Sequence, residues 1–269
     1  MPDYPLISHE LPLDLIDERQ DAFCDYMFVL LHKMIEDKEY CEKVYSYRNK
    51  GGIIYLDNSC FELGEALDNN LLYEYYEKCS PDILILPDTL GDYQKTINRT
   101  FEFIEAYPDT IINSMAVIQG STPEEMIECY KRFTKFRDKN NRPFNMIGIP
   151  FVFSWIPRNS FLQANERVKL LSRMVNENII NHSFAHHLLG TWQAREFAYY
   201  TNYRWITSLD TSNPVMAAID GVRYDDLGIM HKPISTFDTT YNMRSIDLDI
   251  ELIYYNISQF RRIVNGVCR

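Results

Sequence analysis

The sequence predicts an α/β protein of the (β/α)₈ TIM-barrel type, one domain over residues 1–269. Three observations carry this. Short apolar runs alternate with amphipathic helical stretches, the pattern of a parallel sheet covered by helices. The run ends recur at barrel spacing: Asp57 to Asp88 is 31 residues, Asp88 to Gln119 is 31 and Gln119 to Gly148 is 29. About 30 residues is what one strand–loop–helix–loop unit occupies. Finally, the strand ends are polar, and the C-terminal ends of the strands are where such barrels carry their sites.

The elements follow in order. Residues 5–10 form a first short strand and its exit. Residues 20–47 read as one long amphipathic helix, with Phe23, Met27, Leu30, Leu31, Met34 and Ile35 on one face, broken by Gly51-Gly52. Ile53–Leu56 is a strand ending in Asp57, and 71–79 is helical. Ile83–Leu86 is a strand ending in Pro87-Asp88, followed by a helix over 93–106. Ile111–Ile118 is a strand ending in Gln119-Gly120. Thr122, Pro123 and Glu124-Glu125 then start a helix running to about 137. Residues 145–149 are a strand, and 150–160 an aromatic loop with Phe151, Phe153, Trp155 and Arg158. A helix over 165–178, a strand over 183–189, a short helix over 194–200 and a strand over 203–209 complete the repeat. That last strand stops at Asp210, and Pro214 sits in the first turn of the next helix. Residues 246–264 form a closing helix. This makes six or seven units. A doubly wound fold is disfavoured, because no glycine-rich phosphate loop follows the first strands.

Composition narrows the class. Hydrophobic residues are 46% of the chain, enough for a full core. The formal charge of −11 argues against broad non-specific binding of polyanions, though Arg195, Arg204, Arg223, Arg261 and Arg262 are available for a local basic groove. Cysteines 24, 41, 60, 79, 129 and 268 are scattered with no CxxC and no Cys/His cluster, so no zinc subdomain is expected and the thiols suit a reducing cytoplasm. The start, Met1-Pro2-Asp3-Tyr4, has no signal-peptide pattern, and no run is long enough to span a membrane.

Asp57, Asp88 and Asp210 would converge on one mouth. Converging carboxylates are costly to desolvate and usually serve a metal, a polar ligand or catalysis. No HxH pair accompanies them, and adjacent His186 and His187 point to opposite faces of a strand, so no metal is expected. A carboxylate nucleophile at an anomeric carbon, with a second carboxyl serving the leaving group, fits better. A third carboxylate with an amide, Gln119, suits the donor and carbonyl edges of a guanine-like base.

These motifs resemble the tRNA-guanine transglycosylase superfamily, in particular its short phage branch that places 7-deazaguanines into DNA. Leu56-Asp57-Asn58-Ser59-Cys60-Phe61-Glu62 resembles the family's D-S-G-G-F/Y-Q stretch, and Val117-Ile118-Gln119-Gly120 its V-Q-G motif. Ile147-Gly148-Ile149, His187-Leu188-Leu189-Gly190 and Ser208-Leu209-Asp210-Thr211 resemble later family motifs, in order from about residue 52 to 215. The resemblance implies that Asp210 is the nucleophile and Asp57 the general acid/base. It implies that Phe61 stacks on the base, that Asp88, Gln119, Gly120 and the Gly148 backbone read it, and that His187 and Gly190 line the substrate site. It also implies no cofactor, DNA and a free 7-deazaguanine as partners, with a homodimer left open. Ser59-Cys60 replaces a glycine pair, and the tRNA enzymes' zinc site and insertion are absent, which favours DNA over tRNA. An N-glycoside hydrolase of modified purine nucleosides would share the same carboxylates.

Each residue also has a plain reading. A strand-end Asp often caps the next helix. Gln119 would satisfy loop backbone and His187 serve as a structural hydrogen-bonder. His9 and Glu10 reach the site or sit on the rim. The 150–160 aromatics cradle nucleic acid or cover the core. Arg158 and Arg195 touch phosphate or form salt bridges. Asp92, Glu62 and Glu65 are solvated or capping.

Overall fold

In the computed structural model, which describes residues 5–16, 20–157, 160–200 and 202–267, eight parallel strands form one sheet in the order β1-β8-β7-β6-β5-β4-β3-β2. The strands are β1 (Leu6–His9), β2 (Met27–Leu30), β3 (Ile54–Asp57), β4 (Ile83–Ile85), β5 (Ser114–Val117), β6 (Met146–Ile149), β7 (Ala185–Leu188) and β8 (Ile206–Thr211). That order is a barrel read from its seam. Between β1 and β2 the ring is closed by single bonds. Ile7 N–H donates to Asp25 Oδ2 (2.8 Å), Asp25 N–H to the Ile7 carbonyl (2.9 Å) and Phe28 N–H to Ser8 Oγ (3.1 Å).

The helices are α1 (Gln20–Phe23), α2 (Leu31–Glu36), α3 (Lys38–Asn49), α4 (Cys60–Leu63), α5 (Asn69–Cys79), α6 (Tyr93–Ala106), α7 (Pro123–Lys135), α8 (Ser160–Asn176), α9 (Asn213–Ile219), α10 (Phe237–Thr240) and α11 (Ile250–Val267). Their starts are locally encoded: Asp37, Asp68, Asp92 and Thr122 each accept backbone N–H bonds at a helix N-cap. Asp92 therefore has the capping role expected of it.

Strand alternation separates two cores. Tyr26, Tyr55, Ile83, Ile85, Met115, Val117 and Met146 fill the barrel interior. A larger cluster lies between sheet and helices, where Val29, Leu56, Leu84, Ala116, Ile147, Leu188 and Leu209 meet residues such as Leu72, Phe103, Phe133 and Phe260.

The expected long helix over 20–47 is overturned. Met27–Leu30 is a strand, and α1, α2 and α3 are separate pieces around it. Tyr26 to Leu31 is a continuous apolar run, and periodicity does not separate a buried strand from a buried helix there. The strand supplies the unit missing from the sequence-based count. The strand expected over 111–118 begins only at Ser114, since residues 108–113 form a 3-10 turn headed by Pro108. Strand β8 does not stop at its carboxylate; Asp210 lies within it. Among the described residues no helix is long and apolar enough to cross a membrane.

Candidate active site

Asp210 is buried on β8, and its carboxylate is gripped from the neighbouring strand β7. His187 Nε2 lies 2.9 Å from Oδ1, and Gly190 N–H donates to both Oδ1 and Oδ2 at 3.1 Å. Oδ1 thus faces two N–H groups, while Oδ2 shares one. Gly190 has φ +60°, the left-handed region that favours glycine, and this turns its N–H back toward β8. His187 is fully buried with Nδ1 2.8 Å from Ser208 Oγ, over a floor of Tyr26, Phe28 and Tyr55. His186 points the other way, stacked on Tyr130 with Nε2 2.9 Å from its hydroxyl. The opposite-faces expectation for this pair holds.

Asp57 ends β3, buried, with Oδ2 accepting the Ser59 N–H at 2.7 Å. Ser59 stands where the resembled motif has glycine, and it takes a left-handed conformation (φ 60°). Its hydroxyl accepts the His32 N–H (3.1 Å) and bonds the His32 ring (2.9 Å), which fixes a conformation costly for a residue with a Cβ. Burial pushes the Asp57 carboxyl well above its ordinary value; Glu62 adds to this, the Ser59 N–H opposes it, and Asp88 and Asp210 raise it further. Asp57 ends β3, Asp88 follows β4 and Asp210 lies near the end of β8, so all three stand toward the C-terminal end of the parallel barrel.

Asp88 follows β4 and is buried in an amide cradle. Asn58 Nδ2 donates to Oδ1 (3.0 Å) and Gln119 Nε2 to Oδ2 (2.7 Å). Gln119 Oε1 in turn accepts the Gly91 N–H (3.1 Å), and Asn58 Nδ2 also reaches the Leu86 carbonyl (2.7 Å). Burial raises the Asp88 carboxyl, with the Gln119 and Asn58 bonds acting in the opposite direction.

The glycines of the motifs act through space. A Cβ on Gly148 would stand 2.9 Å from Met115 Sδ, 3.1 Å from Val117 Cγ2 and 3.2 Å from Leu189 Cδ1, so these side chains occupy the space that a larger residue would need. A Cβ on Gly120 would stand 2.7 Å from the Met126 backbone nitrogen, so this glycine lets α7 pack close. Phe61, on α4, is 60% exposed rather than packed into the site.

Other expectations are corrected by the packing. His9 leaves the barrel: its ring meets Phe260 edge-on at 5.7 Å, while its backbone N–H points at Cys24 Sγ. Glu10 does face the mouth; burial first, then Asp210, Glu62 and Asp238, push its carboxyl up. Glu62 is exposed on α4, as expected of a solvated acid, and its carboxyl is pushed up to about 7, first by desolvation and then by Asp210, Asp238 and Asp88. The aromatic loop covers the core. Phe153 is buried and held by Gln163, Trp155 packs on it at 5.0 Å, and Phe151 lies against the Arg167 guanidinium. Arg158 lies outside the described residues. Of the arginines available for a local basic groove, Arg195, Arg223, Arg261 and Arg262 have partners within the fold. These engage, respectively, the Leu227 carbonyl, the Tyr255 ring, Asp25 and Asp226.

Sequence reasoning missed Ser208, Asn58 and the buried pair Arg167–Glu196. Ser208 carried a readable signal, since it lies two residues from Asp210 on the same strand. Arg167 and Glu196 carried none. Among the described residues no group of three or more His, Cys, Asp or Glu side chains is arranged to hold a metal ion. The chain matches no protein-family model and no curated protein.

Proposed function

We propose that this protein is a transglycosylase that exchanges guanine in DNA for a 7-deazaguanine base through a covalent Asp210–deoxyribose intermediate. The observation that carries this reading is the asymmetric grip on Asp210. Oδ1 is held by the His187 and Gly190 N–H groups, while Oδ2 is the less engaged oxygen, and burial biases the neighbouring acid Asp57 toward its protonated form.

The chemistry follows from those roles. The target guanine leaves the stack and enters the mouth. Asp88, in its amide cradle, accepts N–H bonds from the base, and Phe61 is free to turn onto its face. An Asp210 Oδ2 electron pair forms a bond to C1′. The C1′–N9 pair goes to guanine, which takes the Asp57 proton as it departs. In the resulting ester Oδ1 is the carbonyl oxygen, and the two N–H groups already point at it. A 7-deazaguanine then enters and gives its N9 proton to Asp57. N9 bonds to C1′ and Asp210 leaves as a carboxylate. Two inversions retain the anomeric configuration, and the route needs no cofactor.

Raised pKa values also bear on DNA as the polymer. A mouth of ionised carboxylates would repel phosphates, and the upward shift of Asp57, Glu10 and Glu62 acts to lower that charge. The test is base exchange with labelled guanine on duplex DNA, single-stranded DNA and tRNA. Label entering DNA supports the reading. Label entering tRNA moves the activity to the other branch of the resembled family, and release of base without exchange makes the protein an N-glycoside hydrolase.

A further inference from the structure

Arg167, on α8, is fully buried, and both of its terminal guanidinium nitrogens reach the turn after β7. Nε donates to Glu196 Oε2 (2.9 Å) and Nη2 bonds Glu196 Oε1. Nη1 donates to the Leu189 carbonyl (2.7 Å), and Nη2 reaches Thr191 Oγ1 (3.2 Å). Tyr200 adds a hydroxyl bond to Glu196 Oε2 (2.9 Å), and the Phe151 ring covers the guanidinium at 5.2 Å. Leu189 and Thr191 flank Gly190, whose N–H grips both Asp210 oxygens. Thr191 N–H also donates to the Asp210 backbone carbonyl at 2.8 Å.

A buried ion pair is a poor way to gain stability, because desolvating two charges consumes most of their attraction. What a guanidinium supplies instead is a rigid planar fork with donors in fixed directions. Here that fork ties a short turn at both sides of one peptide N–H. We propose that Arg167 is a positioning residue for Asp210: through Leu189 and Thr191 it fixes the Gly190 N–H that orients the carboxylate. Its effect on turnover rests on the reading of Asp210 as nucleophile; its effect on the carboxylate clamp does not.

The test uses two variants of the full chain. Arg167→Met with Glu196→Leu removes both charges together and leaves no unpaired ion. Arg167→Lys keeps the charge and loses the fork. The readouts are thermal unfolding, the Gly190 amide signal in ¹⁵N–¹H spectra, and kcat against KM for base exchange. In both variants the Gly190 amide is expected to shift away from its carboxylate-bonded position and to exchange faster with solvent. The kcat is expected to fall at least tenfold with KM within about twofold, because DNA contacts are untouched. Should the double variant fail to fold, Arg167→Lys decides. An unmoved Gly190 amide in a folded variant overturns the proposal. If the wild-type protein exchanges no base, the Gly190 amide still decides the role of Arg167 while the transglycosylase reading falls separately.

Discussion

His187 Nε2 stands 2.9 Å from Asp210 Oδ1, and this bond crosses from β7 to β8 one step beyond the ladder, where His187 is paired with Ser208. The offset leaves the two ring nitrogens with different partners: Ser208 at Nδ1 and the carboxylate at Nε2. A carboxylate accepts, so Nε2 carries a hydrogen, and a serine hydroxyl at Nδ1 serves that tautomer by donating. Removing the imidazole leaves the Gly190 N–H alone on Oδ1. His187→Ala is expected to slow the second half of base exchange, in which negative charge develops on Asp210 as it departs, by roughly 10²-fold, the usual effect of losing one donor to a developing charge. Single-turnover kinetics on DNA measures it.

Asp57 combines function with a stability cost. Its carboxyl is raised in the folded protein, so the stabilising contribution is full below the unfolded value and is lost as pH rises through the folded one. Asp57→Asn is expected to abolish exchange, yet to raise the melting temperature at neutral pH by about 2–4 °C, which is what about 1 kcal/mol does in a chain of this size. The gain grows between pH 5 and 8. Melting curves of the two proteins across that range check the sign.

His186 acts in the opposite sense. Burial first holds its ring down to about 4, so it is neutral in the fold and charges in the unfolded chain near its ordinary value. Stability tied to this group is full above the unfolded value and is lost as pH falls toward about 4. Urea titrations from pH 6.5 to 4.5 are expected to fall less steeply for His186→Gln, by up to about 1.4 kcal/mol per pH unit, since one proton no longer binds the unfolded state.

On the proposed function, Glu62 is expected to make DNA affinity pH-dependent. Raised to about 7, first by desolvation and then by Asp210, Asp238 and Asp88, it gains charge as pH passes through neutrality. Wild-type affinity for DNA is expected to weaken from pH 6 to 8 at constant salt, and Glu62→Gln to flatten that slope. Fluorescence anisotropy with labelled DNA reports both.

Gly148 is a test of the barrel interior. Its missing Cβ would stand 2.9 Å from Met115 Sδ and 3.1 Å from Val117 Cγ2. Gly148→Ala is expected to cost about 1–3 kcal/mol by overpacking, seen as a lower urea midpoint with unchanged slope.

Much of this architecture was legible because strands ending in Asp57, Gln119 and Gly148 repeat at one unit's length, and barrels place such ends together. Asp92, Thr122 and Pro123 marked helix starts by their own chemistry. Strand β2 was not legible: Tyr26 to Leu31 is apolar throughout, and what makes it a strand is its pairing with β3, Met27 to Leu30 against Ile54 to Asp57, which the sequence does not display. In the site, the aspartates were visible by position, but the hold on them was not. Arg167 and Glu196 lie 29 residues apart on different elements, and only folding brings them to the Leu189–Thr191 turn. Glu62 is the helix-surface acid the sequence suggested, and only the raising of its carboxyl by Asp210 and Asp238, remote in sequence, was not legible.

The central claim is that Asp210 carries the sugar. The protein is mixed with labelled guanine-containing DNA without an acceptor base, quenched with denaturant and run on a denaturing gel. A protein–DNA band that disappears in Asp210→Asn, and that is released by adding a 7-deazaguanine, is the result predicted here. Base exchange without any covalent band, persisting in Asp210→Asn, would contradict it.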